Sequence, residues 1–188
     1  MNFDDLCEML EEKAREFSCV MAMIDTESET GRGIMEFVES IPDEHIYDEE
    51  GYGRETEPHV TILYGLHSAN ADRIAEGMSG IRPFVMQIES ASFFEKDDYN
   101  VLKFDIRSDD LVRANEALKR MPHTDEFPEY HPHLTLAYLK KDVDKSLYEG
   151  ATLDNSKRVD SVLVKISTPQ GHKFMNVANR TEINEPLP

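Results

Sequence analysis

The fold of this chain is decided by a stretch that it contains twice: Pro58-His59-Val60-Thr61-Ile62-Leu63-Tyr64 and, 74 residues later, Pro132-His133-Leu134-Thr135-Leu136-Ala137-Tyr138. Both copies read Pro-His-φ-Thr-φ-x-Tyr, where φ is an aliphatic residue. β-Branched and aliphatic residues favour strands, and the turn formers Pro58 and Gly65 bound the first copy. The repeat therefore predicts two β-strands that carry the same side chains at the same places.

Strand geometry predicts which side chains of each copy act together. Successive side chains point to opposite faces of a sheet, so His59 and Thr61 should share one face, and His133 and Thr135 should repeat that arrangement. If the aliphatic positions face helices that cover the sheet, the imidazoles and hydroxyls face a cleft on the other side. The same alternation predicts that the tyrosine ending each copy points away from the cleft and packs in the core.

The rest of the chain predicts helices and antiparallel hairpins. Apolar periodicity and turn residues predict helices at residues 4–17, 31–41, 72–79 and 109–121, and strands at 19–25, 84–94, 99–107, 161–167 and 173–177. Two loops, residues 42–58 (the first loop) and 122–132 (the second loop), lead directly into the two copies and should lie beside the cleft. This order of elements favours an α+β fold in which two similar lobes meet.

Composition limits the kind of partner. The 188 residues fit one domain, residues 1–188, of two intimately packed lobes. With 38 acidic against 20 basic residues, the chain has a formal net charge of −18. Binding to long duplex nucleic acid requires many phosphates to be neutralised, so we expect no such partner. A small anionic substrate is compatible with this charge if the cleft is locally positive.

The sequence favours a cytoplasmic location. The N-terminus is acidic and does not have the pattern of a signal peptide, and no stretch approaches the roughly 18 apolar residues of a membrane span. Cys7 and Cys19 are the only cysteines. Two cysteines on a predicted helix and beside a predicted strand indicate small core residues in a reducing compartment, not a disulfide framework.

The two His-x-Thr units resemble the motif of the 2H phosphoesterase superfamily. The resemblance rests on His59-Val60-Thr61 and His133-Leu134-Thr135, which stand in matching local sequence about one lobe apart. It implies two pseudo-symmetric βα lobes with largely antiparallel sheets around a central cleft, and one His-x-Thr from each lobe in that cleft. The fold that it implies covers nearly all of the chain.

Within that superfamily the chain is most similar to small phage-encoded members. These include the anti-CBASS proteins, which destroy the cyclic oligonucleotide signals of bacterial immunity. The resemblance thus implies a metal-independent phosphodiesterase that acts on a small cyclic or linear ribonucleotide, in the host cytoplasm if the protein is encoded by a phage.

The resemblance also implies roles for four residues. His59 and His133 would transfer the two protons of the reaction, since the unperturbed pKa of histidine, about 6.5, suits both an acid and a base near neutrality. Thr61 and Thr135 would donate hydrogen bonds to the nonbridging phosphate oxygens. The nucleophile would be a ribose 2′-hydroxyl or, for a 2′,3′-cyclic phosphate, water. No metal or other cofactor is required, and the sequence does not say which histidine is the acid.

Substrate contacts are predicted in the two loops. Tyr52 and Arg54 in the first loop, and Tyr130 and His131 in the second, are candidates for stacking on bases and binding phosphate, and Tyr47 shares this expectation. The alternative, that these side chains only anchor their loops, stays open.

Three other functions remain as alternatives. His131-Pro132-His133 is also a metal-ligand pattern, although a metal site does not explain why threonine and tyrosine repeat with histidine. Other members of the superfamily suggest an enzyme that processes RNA ends bearing a 2′,3′-cyclic phosphate, or an RNA ligase-like enzyme. A protein that sequesters a nucleotide without cleaving it would not need two proton-transfer groups.

Overall fold

The strands form one antiparallel sheet with both motif copies at its centre. The computed structural model describes residues 17–49, 51–124, 129–153, 157–179 and 181–183. The strands in these residues are β1 (Ser18–Met23), β2 (His59–Leu66), β3 (Phe84–Glu95), β4 (Tyr99–Arg107), β5 (His133–Lys140), β6 (Arg158–Ser161), β7 (Leu163–Thr168), β8 (Gly171–Asn176) and β9 (Thr181–Ile183). The helices are α1 (Glu29–Glu39), α2 (Ala71–Gly77) and α3 (Asp109–Leu118), with short 3₁₀ turns at Asp43–His45 and Lys145–Leu147.

The order of the strands is nearly symmetric about the two motif strands. It runs β6-β3-β4-β5-β2-β1-β7-β8-β9, so β5 and β2 lie side by side and each begins its own half of the sheet. The halves meet at one antiparallel pair, Val60 with Leu134. The predicted α+β class with largely antiparallel strands is confirmed, and the two halves are joined in one continuous sheet.

Beyond that pair the motif strands separate, and each is bonded to the loop that precedes the other copy. In β5, the N–H of Tyr138 donates to the carbonyl of Gly53 (2.8 Å), and in β2 the carbonyl of Gly65 accepts from Thr124 (2.9 Å). Gly65 has φ +94°, and a Cβ there would lie 2.1 Å from the Thr124 carbonyl oxygen. Glycine therefore permits the close approach that holds the second loop against the first motif strand.

The helices cover one face of the sheet and leave the other open. Val60 of β2 and Leu134 of β5 are fully buried. Helix α3 packs on β2 and β3, α1 on β5 and β6, and α2 on β7 and β8. The aliphatic positions of the repeat therefore face the core, as alternation predicts, and the opposite face, which we call the site face, carries the histidines and threonines.

Each motif strand contains a β-bulge directly after its threonine. Consecutive residues of the neighbouring strand pair with residues 61 and 63 of β2 and with residues 135 and 137 of β5, so Ile62 and Leu136 are the extra residues. A bulge takes a residue out of the normal ladder, yet both of these carbonyl oxygens accept hydrogen bonds. The Asn115 side chain donates to Ile62 (2.7 Å), and the backbone N–H of Glu55 donates to Leu136 (2.9 Å).

The bulges move the repeated tyrosines to the site face. One extra residue reverses the alternation that follows it, so Tyr64 and Tyr138 share a face with the histidines and threonines. Strand pairing agrees, because Cys19 and Met21, two residues apart on β1, lie opposite Tyr64 and Thr61. The prediction that the tyrosines point away from the cleft is wrong, since it extended strict alternation across the bulges.

Most other elements agree with the sequence pattern. The helix predicted from residue 109 begins after Ser108, whose side chain accepts from the N–H of Leu111 (3.2 Å), with Asp109 and Asp110 in its first turn. It ends at Leu118, three residues earlier than predicted. The pattern missed the short strands β6 and β9. Cys7 and the predicted helix at 4–17, apart from Phe17, lie outside the described residues.

Candidate active site

The central pairing of β2 and β5 brings the four motif side chains together. Because the strands are antiparallel and Val60 pairs with Leu134, His59 lies across from Thr135, and Thr61 lies across from His133. Each histidine is therefore beside the threonine of the other copy, on the site face. The arrangement provides two imidazoles and two hydroxyls around one point, related by an approximate two-fold axis.

The same backbone device orients both imidazoles. The Nδ1 of His59 is 2.7 Å from the carbonyl oxygen of Glu57, and the Nδ1 of His133 is 2.9 Å from that of His131. A carbonyl can only accept, so each bond requires a proton on Nδ1. The Nε2 of each ring is left for proton transfer. Glu57 and His131, which occupy the same place in the two copies, thus share a role through their backbones.

The strands that flank the two motif strands are chemically different. Beside β2, the residues of β1 that lie opposite Thr61 and His59 are Met21 and Met23. Beside β5, the corresponding residues of β4, Lys103 and Asp105, lie opposite Thr135 and His133. The backbone symmetry of the site is therefore broken by an ion pair on one side and two thioethers on the other.

Lys103 is buried and fully engaged in polar contacts. Its side chain is 7% exposed, and its ammonium donates to Asp105 and to the Ser92 hydroxyl (2.7 Å). The ammonium also lies over the ring of Phe94, 4.5 Å from its centroid, and that ring meets His133 edge-on at 4.8 Å. Burial opposes ionisation of Asp105, but the contacts with Lys103 and Ser92 outweigh it and hold the pKa of Asp105 below its ordinary value.

This environment lowers the pKa of His133. Burial of the ring is the largest cause, and the charges of Lys103 and His59 act in the same direction. The bond to the His131 carbonyl and the charge of Asp105 oppose the shift without cancelling it. His133 is therefore poised to be neutral at pH 7, with Nε2 as a proton acceptor.

His59 has a different set of neighbours. Its Nδ1 lies 3.9 Å from a carboxylate oxygen of Glu55, a residue held in place by its backbone bond to β5. Lys165 of β7, whose side chain is 18% exposed, forms an ion pair with Glu57. Two lysines thus approach the site, which agrees with the expectation of local positive charge, but each is paired with a carboxylate.

Cys19 also lies on the site face, not in the core. Its thiol contacts the side chain of Thr61, and burial raises the thiol pKa to about 12 despite that contact and the nearby charge of Lys165. The thiol stays protonated at neutral pH and is not suited to act as a nucleophile.

The predicted substrate contacts occupy different surroundings. The Tyr52 ring lies half-buried among other tyrosines, and the His131 side chain is 76% exposed and within 3.4 Å of Glu129. The Tyr130 hydroxyl donates to the Thr61 carbonyl (2.8 Å), and the Arg54 guanidinium bonds to the Ile41 carbonyl and to Asp43 (2.7 Å). Tyr130 and Arg54 therefore anchor their loops, and substrate binding by any of the four remains a prediction.

The sequence pattern did not find Lys103, Asp105 or Glu55. All three reach the site through pairing between distant segments, and nothing in their local sequence marks them. The one available signal was the alternation of the 99–107 strand, which places residues 103 and 105 on one face.

Two further features were searched for in the described part of the chain. No group of three or more His, Cys, Asp or Glu side chains there is arranged to hold a metal ion. None of the helices in those segments combines the length and apolar character that crossing a membrane requires.

Comparison with known proteins identifies the family. The family model described as the 2′-5′ RNA ligase superfamily matches residues 34–163, which is more than half of the chain. The chain therefore belongs to the 2′-5′ RNA ligase superfamily, the phosphoesterases of the 2H type. No curated protein sequence matches it.

Solved structures with the same fold share little sequence with this chain. Usb1 of Kluyveromyces marxianus has 9% identity and a TM-score of 0.57, with 87% of this chain and 99% of that chain covered. A second structure of that Usb1, with uridine monophosphate, has 11% identity and a TM-score of 0.55 over the same shares of the two chains. LigT of E. coli, complexed with 3′-AMP, has 15% identity and a TM-score of 0.55, covering 90% and 100%. At these identities the likeness concerns the fold.

Proposed function

We propose that this protein is a phosphodiesterase that cleaves small ribonucleotides by general acid–base catalysis between His59 and His133. The observation that carries the proposal is the pairing of two imidazoles, each with its Nδ1 bonded to a carbonyl and each beside the threonine of the other copy. A nucleotide-binding protein without chemistry would not need both Nε2 atoms aimed at one point. The bound nucleotides of the Usb1 and LigT structures fit a substrate of this class.

The local charges assign the two roles. His133 has a lowered pKa and accepts the proton from the ribose 2′-hydroxyl, whose oxygen attacks the adjacent phosphorus. His59, protonated and next to the Glu55 carboxylate, gives its proton to the departing 5′-oxygen. The 2′-O–P bond forms, the P–O5′ bond breaks, and the products are a 2′,3′-cyclic phosphate and a free 5′-hydroxyl. Thr61 and Thr135 donate to the nonbridging oxygens as negative charge accumulates.

The sharper form of the proposal is that the substrate is a cyclic oligonucleotide immune signal, cleaved in the cytoplasm to counter antiphage defence. It is supported by the resemblance of the repeat to small phage-encoded superfamily members and by the net charge of −18, which disfavours long RNA. The family description favours a second candidate, action on RNA ends that carry a 2′,3′-cyclic phosphate, by hydrolysis or ligation.

One experiment separates these possibilities. The protein is incubated, with EDTA present, with cyclic di- and trinucleotides and with an RNA ending in a 2′,3′-cyclic phosphate, and the products are identified by mass. Linear products with 2′,3′-cyclic phosphate ends would support the sharper proposal, and opening or joining of the RNA end would support the second candidate. Tightly bound, uncleaved nucleotide would indicate sequestration. Activity lost in EDTA and restored by zinc or manganese would indicate a metal-dependent enzyme.

The pH dependence of kcat/KM tests the assignment of roles. As the base, His133 must be neutral, so activity falls as the pH drops through its pKa, which lies below the ordinary 6.5. The charge of Lys103 lowers this pKa and that of Asp105 raises it. Lys103→Met, which installs the residue found at Met21, should therefore move the acid limb to higher pH, and Asp105→Asn should move it to lower pH.

The limb that moves identifies the role. If His133 were the acid, the same substitutions would move the alkaline limb, because activity would then require the protonated ring. Profiles of both variants that superimpose on that of the wild type would contradict the electrostatic coupling between β4 and His133.

A further inference from the structure

Four tyrosines form a continuous aromatic surface on the site face, which we call the tyrosine platform: Tyr47 and Tyr52 from the first loop, Tyr99 from β4 and Tyr138 from β5. Tyr52 is at its centre, with ring centroids 5.4, 4.8 and 5.0 Å from those of Tyr47, Tyr99 and Tyr138. All four side chains are half-buried, so each ring also presents area to solvent. The platform is a built surface made by three separate segments of the chain.

The platform is not needed to hold the first loop on β5. The backbone already does this, since Tyr47 donates to the Tyr138 carbonyl (2.9 Å) and Tyr138 donates to that of Gly53 (2.8 Å). Arg54 ties the same loop to residues 38, 41 and 43. The rings therefore add aromatic surface beyond what the loop anchor requires.

The platform lies on one side of the catalytic centre, next to His59. Tyr138 follows Thr135 by three residues on β5, about 10 Å along the strand, and Thr135 is the residue across from His59. Glu55, 3.9 Å from His59, also acts electrostatically on Tyr138, so it lies between the two. The opposite end of the site differs, because Tyr64 there meets Phe17 edge-on at 6.5 Å.

The charge around the platform suits a base better than a phosphate. The carboxylates of Glu49 and Asp98 act on Tyr47, and that of Glu55 acts on Tyr138. Carboxylates repel a phosphate but not an uncharged nucleobase. Every base has a π-face that can stack on tyrosine, so such a surface recognises a base without selecting its identity.

We infer that the tyrosine platform binds the base of the leaving nucleoside, the one whose 5′-oxygen receives the proton from His59. The inference rests on the proposed function, and it defines the substrate further. The enzyme acts on a phosphodiester that joins two nucleosides, and recognition of the second nucleoside lies on the 3′ side of the scissile phosphate. The remaining distance from Thr135 is one that a single nucleoside spans.

The test compares two substrates that differ only in the leaving group: adenylyl-(3′,5′)-adenosine and adenosine 3′-methylphosphate. Stacking of one base is worth on the order of 1–3 kcal/mol, so the wild-type protein should prefer the dinucleotide by about 5- to 100-fold in kcat/KM. In Tyr52→Leu this ratio should fall by most of that factor, whereas the matched variant Tyr52→Phe, which keeps the ring, should retain it. Both substrates are cleaved by the same preparation, so the ratio does not depend on the fraction of folded protein.

The outcomes are distinguishable. Equal cleavage of both substrates by the wild type, or a preference that survives in Tyr52→Leu, would overturn the inference and leave the proposed function intact. Cleavage of neither substrate, nor of the cyclic di- and trinucleotides or the RNA end, would overturn the proposed function and the inference with it.

Discussion

Replacing His59 or His133 by alanine is expected to lower kcat/KM by more than about 10²-fold. Each proton transfer by a positioned side chain is typically worth about 10²–10⁴-fold. The two losses should not multiply in the double variant, because the transfers belong to one concerted displacement at a single phosphorus. Initial rates on the substrate that the product analysis identifies provide the measurement.

His172→Ala is the matched control for this loss. His172 is an exposed histidine on β8, three strands from β2, which is about 14 Å across the sheet. We expect its kcat/KM to stay within about threefold of the wild-type value. Full activity in either His59→Ala or His133→Ala, with an unchanged thermal unfolding temperature, would sink the mechanism.

The sequence was sufficient to predict the class of fold because the repeat is local. Alternating aliphatic residues within seven positions fix which side of each strand is buried, and Val60 and Leu134 are indeed fully buried. The hairpin of β3 and β4 and the start of α3 follow from turn and capping residues that are equally local.

The positions of Tyr64 and Tyr138 could not be predicted by alternation because a bulge leaves no local signal here. Ile62 and Leu136 are aliphatic residues that would fit a regular strand equally well. What stabilises each bulge is a distant donor, Asn115 for one and Glu55 for the other. Sequence periodicity therefore holds only up to the first irregularity, and in this site the irregularity creates the aromatic surface.

The electrostatics of the site were hidden for a related reason. The two His-x-Thr copies are nearly identical, so the sequence predicts a symmetric site and cannot assign an acid or a base. The residues that break this symmetry, Lys103 and Asp105, belong to a strand that neither copy contains. Their effect depends on register between strands, which is a property of the folded sheet.

The second large effect is expected at the threonines. Thr61→Val and Thr135→Val keep the size and β-branching of the side chain and remove only the hydroxyl, so strand geometry should be preserved. Loss of one donor to a developing oxyanion typically costs about 10²–10³-fold in kcat. Because the charge on the nonbridging oxygens increases only as the reaction proceeds, kcat should fall much more than KM rises. Thr61→Ser and Thr135→Ser retain the donor and should retain most of the activity.

The two threonines should not be equivalent. Thr135 lies opposite Lys103 on the adjacent strand, whereas Thr61 lies opposite Met21, and the nearest lysine on that side, Lys165, is one strand further away. A cation beside Thr135 compensates for part of the lost hydrogen bond, so Thr61→Val should lose more activity than Thr135→Val. In the background of Lys103→Met the difference should disappear. Equal losses in both backgrounds would show that Lys103 does not act on the phosphate.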